Sequence, residues 1–468
     1  MSPMKKSMAL RGRAKLATLL NSLLHRSAQG REGKKEPDPR NLKTWRQFLL
    51  GVIAKRSTRL MAVGQAVAPW RRVGSVKSAA MALGYFLEKA RFPMRSFATC
   101  LLETAVLMLG SDRLESYRGK VLLVIDPTEY AKRSRGKGKR GLGMQYIGRV
   151  RKAQAKAKSR GRKRGATAKE GTSQPKKVAT SYGYVDIWAG LVLVGKGFLP
   201  LARQLFSSNH PKLKSQNRVE EAVLFQGLGV LRRVGLDAIV VGDRGLGRKE
   251  LVIRLAHDGQ ELVFRIDPDI LVRVPDMKEE ILLAELLERQ PYLGEVIWDR
   301  GDEGRLRCQV RKVRATIRFS RSGRKADYRE ATVNFLELVP VEQGLDSLVL
   351  ATTLPVQSLA DARGIARVYG QRWAIETGFE TMHGWGQDRF MVRPFDAIDR
   401  LLWIVALAHA LVMLALRDGK LAGFRDQAIR LLKQQAVLGR RLTVGKLAEA
   451  IGLDFDKHRR AWAHVWLL

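Results

Sequence analysis

The stretch VLLVIDPTEY, from Val121 to Tyr130, carries the clearest structural signal in the sequence. Its first five residues are all large and aliphatic, a run that predicts a strand buried on both faces. The run stops at Asp126, and a carboxylate at the end of a buried strand is costly unless a cation or a metal compensates it. The sequence therefore predicts a polar site at the end of this strand.

The segments downstream predict an alternation of strands and helices. They are strands at Tyr182–Val194 and Gly197–Phe206, a helix at Asn217–Val234, a strand at Ala238–Val241, a helix at Arg248–His257 and a strand at Glu261–Ile266. The order β-β-β-α-β-α-β is that of a ribonuclease-H-like mixed sheet. Asp243 follows the fourth strand, and ligands tend to bind at the carboxyl edge of such sheets. We therefore expect Asp126 and Asp243 to lie close together.

The charge and the cysteine content limit the classes of function that this chain can have. The 468 residues carry 85 Lys and Arg against 45 Asp and Glu, a formal charge of +40. Within 131–178 there are 18 basic residues against the single acid Glu170. Such a stretch predicts a flexible loop, and the whole balance predicts a polyanionic partner such as DNA. Only two cysteines occur, which excludes a disulfide framework and a cysteine-based zinc site.

A polar stripe marks the predicted helix from Ser358 to His383. Tyr369, Arg372, Glu376 and His383 are spaced by three, four and seven residues, which places them on one face of a helix. Arginine offers a planar fork to a phosphate, and tyrosine can stack or donate a hydrogen bond along a nucleic-acid backbone. The stripe therefore predicts that this face of the helix has a function. The alternative interpretation, a polar face that only contacts solvent, stays open.

Three carboxylates could form one metal site. Asp126, Asp243 and Glu376 supply the oxygen ligands that Mg²⁺ prefers, and two such ions about 4 Å apart can clamp a phosphodiester. An aspartate after a strand is often only a turn former or a helix N-cap, so each aspartate alone is weak evidence. The polar stripe that contains the glutamate favours the metal-site interpretation.

These motifs resemble those of a known family, the insertion-sequence DDE transposases of the IS-four family. The family carries Asp-x-Thr after the first strand, Asp-Arg after the fourth, and a late Y-x2-R-x3-E-x6-K motif. The matching residues are Asp126, Thr128, Asp243, Arg244, Tyr369, Arg372 and Glu376. The resemblance covers about residues 60 to 415. One departure is His383, which stands where the family has lysine.

The resemblance implies a cut-and-paste reaction at the ends of a mobile element. In that reaction Asp126, Asp243 and Glu376 hold two Mg²⁺ ions, for which Mn²⁺ could substitute. It also implies a homodimer on transposon terminal inverted repeats and target DNA, in the cytoplasm of a bacterium and away from membranes. The DNA contacts that it implies are Tyr369, Arg372, His383, Arg244, Thr128 and Trp298, the last as a stacking platform for a flipped base.

We expect five regions. They are a basic helical DNA-binding region at 1–118, the first part of a catalytic core at 119–266 with a basic flexible loop at 131–178, an antiparallel β insertion at 267–354, the completion of the core at 355–416, and a helical tail at 417–468. The apolar run Leu401–Leu416 has 16 residues, too few to span a bilayer, and predicts a buried helix.

Two other functions stay open at this point. A ribonuclease-H-like nuclease or junction resolvase would cut DNA without joining the ends to a target. A non-catalytic DNA-binding protein derived from a transposase would keep the basic surface, but the intact acidic triad argues against it. Joining of 3′ ends to a second DNA would separate the first two.

Overall fold

A long mixed sheet organises the chain, as seen in a computed structural model. The structure describes residues 13–25, 37–71, 75–132, 145–149, 180–213, 215–274, 279–301, 304–320, 329–435, 437–438, 442–458 and 462.

Helices build the first part of the described chain. They are α1 (13–25), α2 (Pro39–Lys55), α3 (Leu60–Arg71), α4 (Val76–Lys89) and α5 (Met94–Leu109). Local sequence explains two of the starts. Asp38 accepts a hydrogen bond from the backbone N–H of Arg40 at the start of α2, and Ser75 caps α4 in the same way through Ser78.

The central strands appear in the predicted order. They are β1 (Ser116–Tyr117), β2 (Lys120–Lys132), β3 (Gln145–Arg149), β4 (Thr180–Leu193), β5 (Gly197–Phe206), then α6 (Gln216–Arg233), β6 (Ala238–Gly242), α7 (Lys249–His257) and β7 (Glu261–Arg265). β2 pairs antiparallel with β4, and β4 with β5. On its other side β2 pairs parallel with β6, which pairs parallel with β7.

Two predictions about β2 and its neighbour need correction. β2 does not end at Asp126 but continues to Lys132, because β4 keeps pairing with it after β6 has stopped. Part of the predicted flexible loop 131–178 is also ordered as strand, since β2 includes its first two residues and β3 pairs with β4. The rest of that loop, 133–144 and 150–178, lies outside the described residues.

The predicted β insertion extends the same sheet. It contains β8 (Leu271–Arg273), β9 (Glu280–Leu282), α8 (Leu283–Glu288), β10 (Gly294–Asp299), β11 (Arg305–Phe319), β12 (Arg329–Pro340) and β13 (Leu348–Thr352). β13 pairs with β7 on one side and β12 on the other, so these strands continue the core sheet. β11 pairs antiparallel with both β10 and β12, as expected for an antiparallel insertion.

Helices complete the chain. They are α9 (Leu359–Gly370), α10 (Trp373–Gly384), α11 (Phe395–Arg417), α12 (Ala422–Gln434) and α13 (Val444–Lys457). The single helix predicted from Ser358 to His383 is therefore wrong. It breaks at residues 371–372, where the backbone N–H of Ala374 bonds to the carbonyl of Gln371 in a tighter turn.

α11 confirms the predicted buried helix. By length and composition it could cross a membrane, but 89% of its most apolar window is buried within the protein. It packs against α2, α4 and α5 of the N-terminal region and against β5 of the sheet. The N-terminal helices and the sheet consequently share one apolar core.

Candidate functional site

Asp126 projects from the middle of the central strand. Its neighbour Ile125 is the last residue of β2 that pairs with β6, opposite Gly242. Asp126 itself pairs only with β4, opposite Trp188. The carboxylate thus lies where one neighbouring strand has stopped, and this opens one side of β2 to helices that come later in the chain.

Asp243 lies beside it, directly after β6. The hydroxyl of Tyr369 donates a hydrogen bond to Asp243 Oδ1 at 3.2 Å, and Arg265 Nη1 lies 3.9 Å from the same oxygen. Burial and the nearby Asp243 raise the pKa of Tyr369 well above its usual range. The tyrosine therefore stays protonated and remains a donor to the carboxylate.

Arg372 joins the other two acids. Its Nη1 lies 3.4 Å from Asp126 Oδ2 and 2.9 Å from Glu376 Oε1. The break between α9 and α10 places Arg372 one turn before the glutamate, so that its guanidinium reaches both carboxylates. Three acids from distant parts of the chain are thereby gathered around Tyr369 and Arg372.

The electrostatics of this cluster hold Arg372 charged. Its side chain is only 9% exposed. Burial alone would lower the pKa of Arg372, but the neighbouring tyrosine and the three carboxylates outweigh burial and raise it. The Nε of Arg372 is buried and has no hydrogen-bond partner among the described residues. One donor of the guanidinium is therefore left for a further acceptor.

The donor chemistry fits a hard divalent cation. Carboxylate oxygens are the ligands that Mg²⁺ prefers, and two of the acids already converge on one positively charged nitrogen. Over the part of the chain that the structure describes, no group of three His, Cys, Asp or Glu side chains is arranged to hold a metal. The acids thus lie near one another, but Arg372 stands between two of them, and the three are not arranged here as a set of metal ligands.

The tip of the β10–β11 hairpin covers the helix break. Lys196, in the turn after β4, forms an ion pair of 2.9 Å with Asp299. A Cβ added to Gly301, which has a φ of +65°, would lie 2.7 Å from the Trp373 ring. A Cβ added to Gly370 would lie 3.1 Å from the carbonyl oxygen of Asp299. No local pattern predicts this contact, because it joins segments about 70 residues apart.

Trp298 lies at the same hairpin tip. Its ring is half-buried, with the guanidinium of Arg300 5.4 Å from the ring centre. Its indole Nε1 is buried and has no hydrogen-bond partner among the described residues. The predicted stacking role for Trp298 stays a prediction, and its place near the helix break is compatible with it.

The remaining predicted DNA contacts lie in different settings. Arg244 is exposed in the turn after Asp243, whereas Thr128 is buried on β2 opposite Asp186. His383 does not join the cluster around Arg372. It lies at the end of α10, with its ring centre 6.0 Å from that of Tyr130 and 6.5 Å from that of Phe379. Burial lowers the pKa of His383, which therefore favours the neutral form in the free chain.

A buried ion-pair network behind the acids was missed. Arg203 on β5 binds Asp186 on β4 and Asp399 on α11, and Tyr130 donates a hydrogen bond to Asp186. The arginine and Asp186 are fully buried, and the pairing fixes β2, β4 and β5 to α11. An aspartate inside the otherwise apolar segment of β4 was the available signal, since a buried charge requires a partner.

Comparison with known proteins agrees with this arrangement. A family model described as the transposase DDE domain matches residues 112–411, which is more than half of the chain. The matched range includes Asp126, Asp243 and Glu376, together with the strands that join them. No curated protein matches the chain.

Proposed function

The chain belongs to the family of the transposase DDE domain, and from this premise we propose that it cuts the ends of a mobile DNA element and joins them to a target. The observation that carries the proposal is the convergence of Asp126, Asp243 and Glu376 on Tyr369 and Arg372. We further propose membership of the IS-four family and a ribonuclease-H-like core, which the strand order β5-β4-β2-β6-β7 supports.

Asp126, Asp243 and Glu376 are the residues that would hold the divalent cations, two Mg²⁺ ions or Mn²⁺ in their place. When bound, the ions would supply charge stabilisation for the attacking and leaving oxygens of the phosphodiester. Tyr369 orients Asp243 by its hydrogen bond. The hairpin tip packs on the helix break and so fixes the positions of Arg372 and Glu376. Under this proposal, catalysis consists mainly of positioning the reacting groups and stabilising charge.

Arg372 would also contact DNA. The buried Nε lacks a partner among the described residues, and it would become a donor to a phosphate oxygen once Arg372 moves away from the acids. The exposed Arg244 is a second candidate for phosphate contact, whereas Thr128 is buried and would act on the DNA only through its neighbours. Trp298 at the hairpin tip would stack a flipped base, and His383 would contact a phosphate only if DNA raises its pKa.

The same proposal covers the binding partners and the cellular location of the protein. The partners are terminal inverted repeats and target DNA, bound by a homodimer in the bacterial cytoplasm. The 1–118 helices and the basic residues of 131–178 would supply sequence-independent affinity, and 417–468 would support α11. These assignments follow from the charge of the chain and from the family.

We expect Asp126→Ala, Asp243→Ala and Glu376→Ala each to abolish Mg²⁺-dependent cleavage and to leave DNA binding intact. Each variant removes a metal ligand and also removes repulsion of phosphates. The measurement is cleavage and strand transfer of a duplex that carries the inverted repeat beside the reading frame, with gel-shift binding in parallel.

Glu380→Ala is the matched control, because Glu380 is exposed one turn further along α10. Cleavage that survives in the Glu376 variant but is lost in the Glu380 variant would contradict the proposed triad. Cleavage without joining in the wild-type protein would instead favour the nuclease or resolvase function.

A further inference from the structure

The segment after α10 presents an exposed edge of unusual composition. Exposure alternates along it: Arg389, Met391 and Arg393 are exposed, Phe390 is buried and Val392 is half-buried. Met391 is 75% exposed, the highest value for a large apolar side chain in the described part of the protein. The three exposed residues, each two positions from the next, thus carry a positive charge, an apolar side chain and a second positive charge. We call these three residues the 389–393 ridge.

The ridge is fixed from beneath. The Phe390 ring packs 5.9 Å from that of Tyr130 and 6.4 Å from that of Tyr184. Gly386, with a φ of +79°, makes the turn that leads into the segment, and its carbonyl accepts a hydrogen bond from the Thr58 hydroxyl. The exposed side chains are therefore carried on a well-packed base.

The charges of the ridge are available to a partner. Arg389 lies 3.7 Å from Asp388, but both side chains are largely exposed, and such pairs contribute little to stability. Arg393 is exposed and has no hydrogen bond or ion pair among the described residues. Tyr130, on which Phe390 packs, lies two residues before the end of β2, where the chain enters the strongly basic stretch 133–178. The surroundings therefore favour a polyanion.

Because burial favours the neutral form of His383, a positive charge near this position has to come from other residues. His383 stands where the resembling motif has lysine, yet burial lowers its pKa and its Nε2 has no partner among the described residues. Arg389 and Arg393 follow within ten residues, and each offers the guanidinium donors that suit a phosphate. They can therefore provide the phosphate contacts that a neutral histidine cannot.

We propose that the 389–393 ridge, which packs through Phe390 on the strand that carries Asp126, binds duplex DNA. Arg389 and Arg393 contact phosphates, and Met391 inserts into the minor groove as an apolar wedge against a base step, a role that methionine can fill. The inference rests on the proposed function and adds a second contact surface to it. A second copy of the chain is the competing occupant, since an exposed methionine could also pack against protein.

The arginines are tested by the salt dependence of binding to a mixed-sequence duplex. Arg389→Gln with Arg393→Gln should reduce the slope of log K against log salt by about 2 and weaken binding roughly ten- to hundredfold at about 0.1 M salt. The matched control is Arg430→Gln with Lys433→Gln, two exposed charges on α12. An unchanged slope in the ridge variant, or an equal change in the control, would overturn the inference.

Met391 is tested with 2-aminopurine placed at successive positions of a duplex that carries the inverted repeat, on which the protein binds in one register. The wild-type protein should raise the fluorescence at one base step, Met391→Leu should keep that rise, and Met391→Ala should lose it. Equal signals in all three would overturn the wedge. Loss of dimerisation without DNA in Met391→Ala, measured by sedimentation, would assign the ridge to protein contact instead. Failure of the wild-type protein to bind any duplex would overturn the proposed function itself.

Discussion

At the scale of single residues, Arg372 has two roles that compete. Its Nη1 contacts Asp126 and Glu376, the two carboxylates that a metal would need. A guanidinium and a divalent cation cannot occupy the same place between these oxygens. If these acids hold a metal as proposed, Arg372 has to move first, and a DNA phosphate is an acceptor that would draw it away.

We expect Arg372→Gln to bind Mn²⁺ in the absence of DNA more tightly than the wild-type chain does. The variant leaves two neighbouring carboxylates without their cation, so its stability without metal should fall by about 2 kcal/mol, reduced from buried-pair values because Glu376 is partly exposed. Titration calorimetry with Mn²⁺ and thermal unfolding with and without Mn²⁺ are the measurements.

Arg367→Gln is the matched control, because Arg367 forms an exposed ion pair with Glu115 at 2.8 Å. If Mn²⁺ affinity is the same in the wild-type and Arg372→Gln proteins, the guanidinium does not compete with the metal.

His409 gives a pH dependence of stability. Burial inside α11 lowers the pKa of His409 to about 4. Its Nε2 bonds to the Phe198 carbonyl at 3.0 Å, and its buried Nδ1 has no partner among the described residues. Below the unfolded pKa of ~6.5 the unfolded chain takes up a proton that the folded chain does not, so stability falls as pH drops from about 6.5 towards 4.

We therefore expect His409 to remove about 2 kcal/mol of the free energy of unfolding between pH 7 and pH 5. His409→Leu should be less stable at pH 7, because the Phe198 carbonyl loses its donor, but should show a flatter profile over that interval. Urea unfolding of both proteins at the two pH values measures the difference. Parallel profiles would contradict the assignment.

Single residues were predictable where spacing carried the chemistry. The intervals between Tyr369, Arg372 and Glu376 were enough to expect them to act together, and the structure brings all three to the two aspartates. His383 was expected on the same face, but the helix break and the packing of Phe379 and Tyr130 take it elsewhere. Spacing along an ideal helix cannot anticipate a break that tertiary contacts impose.

At the scale of elements, α10 is pressed onto β5 at one glycine. A Cβ added to Gly378 would lie 2.6 Å from the ring of Phe198. Because α10 approaches β5 so closely at Gly378, the distance between the sheet and Glu376, two residues earlier, is fixed. The position of the helix that carries Glu376 thus depends on residue 378 being a glycine.

We expect Gly378→Ala to lower the cleavage rate more than tenfold and leave DNA binding nearly unchanged, because it lifts α10 from the sheet and displaces Glu376. Phe198→Leu should partly restore the rate in the double variant by making room. Gly384→Ala is the control on the same helix, since nothing lies within 4 Å of its added Cβ. Equal rates in the two glycine variants would contradict the packing argument.

Strands were predicted better than the joints between elements. Aliphatic runs such as Val121–Ile125 reveal buried strands through composition alone, and β4 to β7 begin and end close to where the sequence placed them. The continuation of β2 past Asp126 and the closure of the β10 hairpin on Gly370 depend on partners distant in sequence. Local patterns hold no information about such partners.

At the scale of the whole molecule, positive charge is concentrated in one stretch. Neutralising the basic residues between Lys132 and Lys177 should weaken DNA binding and make its salt dependence shallower, by about 0.9 in slope for each lost phosphate contact. Sequence preference should not change, because phosphate contacts position a protein without reading bases. Anisotropy titrations over a range of salt concentrations, on specific and unrelated duplexes, measure both effects. An unchanged slope would leave the stretch a role in solubility only.

The helices of the predicted region 1–118 pack against later parts of the chain. Both α2 and α5 contact α11. Arg13 of α1 forms a buried ion pair with Asp454 of α13, which joins the first described helix to the last. Composition indicates which helices exist but not which of them share a core.

The order of the acids along the chain has a consequence for synthesis. Asp126 leaves the ribosome first, Asp243 more than a hundred residues later, and Glu376 later again, while α11, which buries the sheet, comes after all three. A nascent chain therefore cannot assemble the site until most of its length has emerged. Under the proposed function, an unfinished chain, although already rich in cations, therefore lacks the complete set of acids that cleavage of DNA would need.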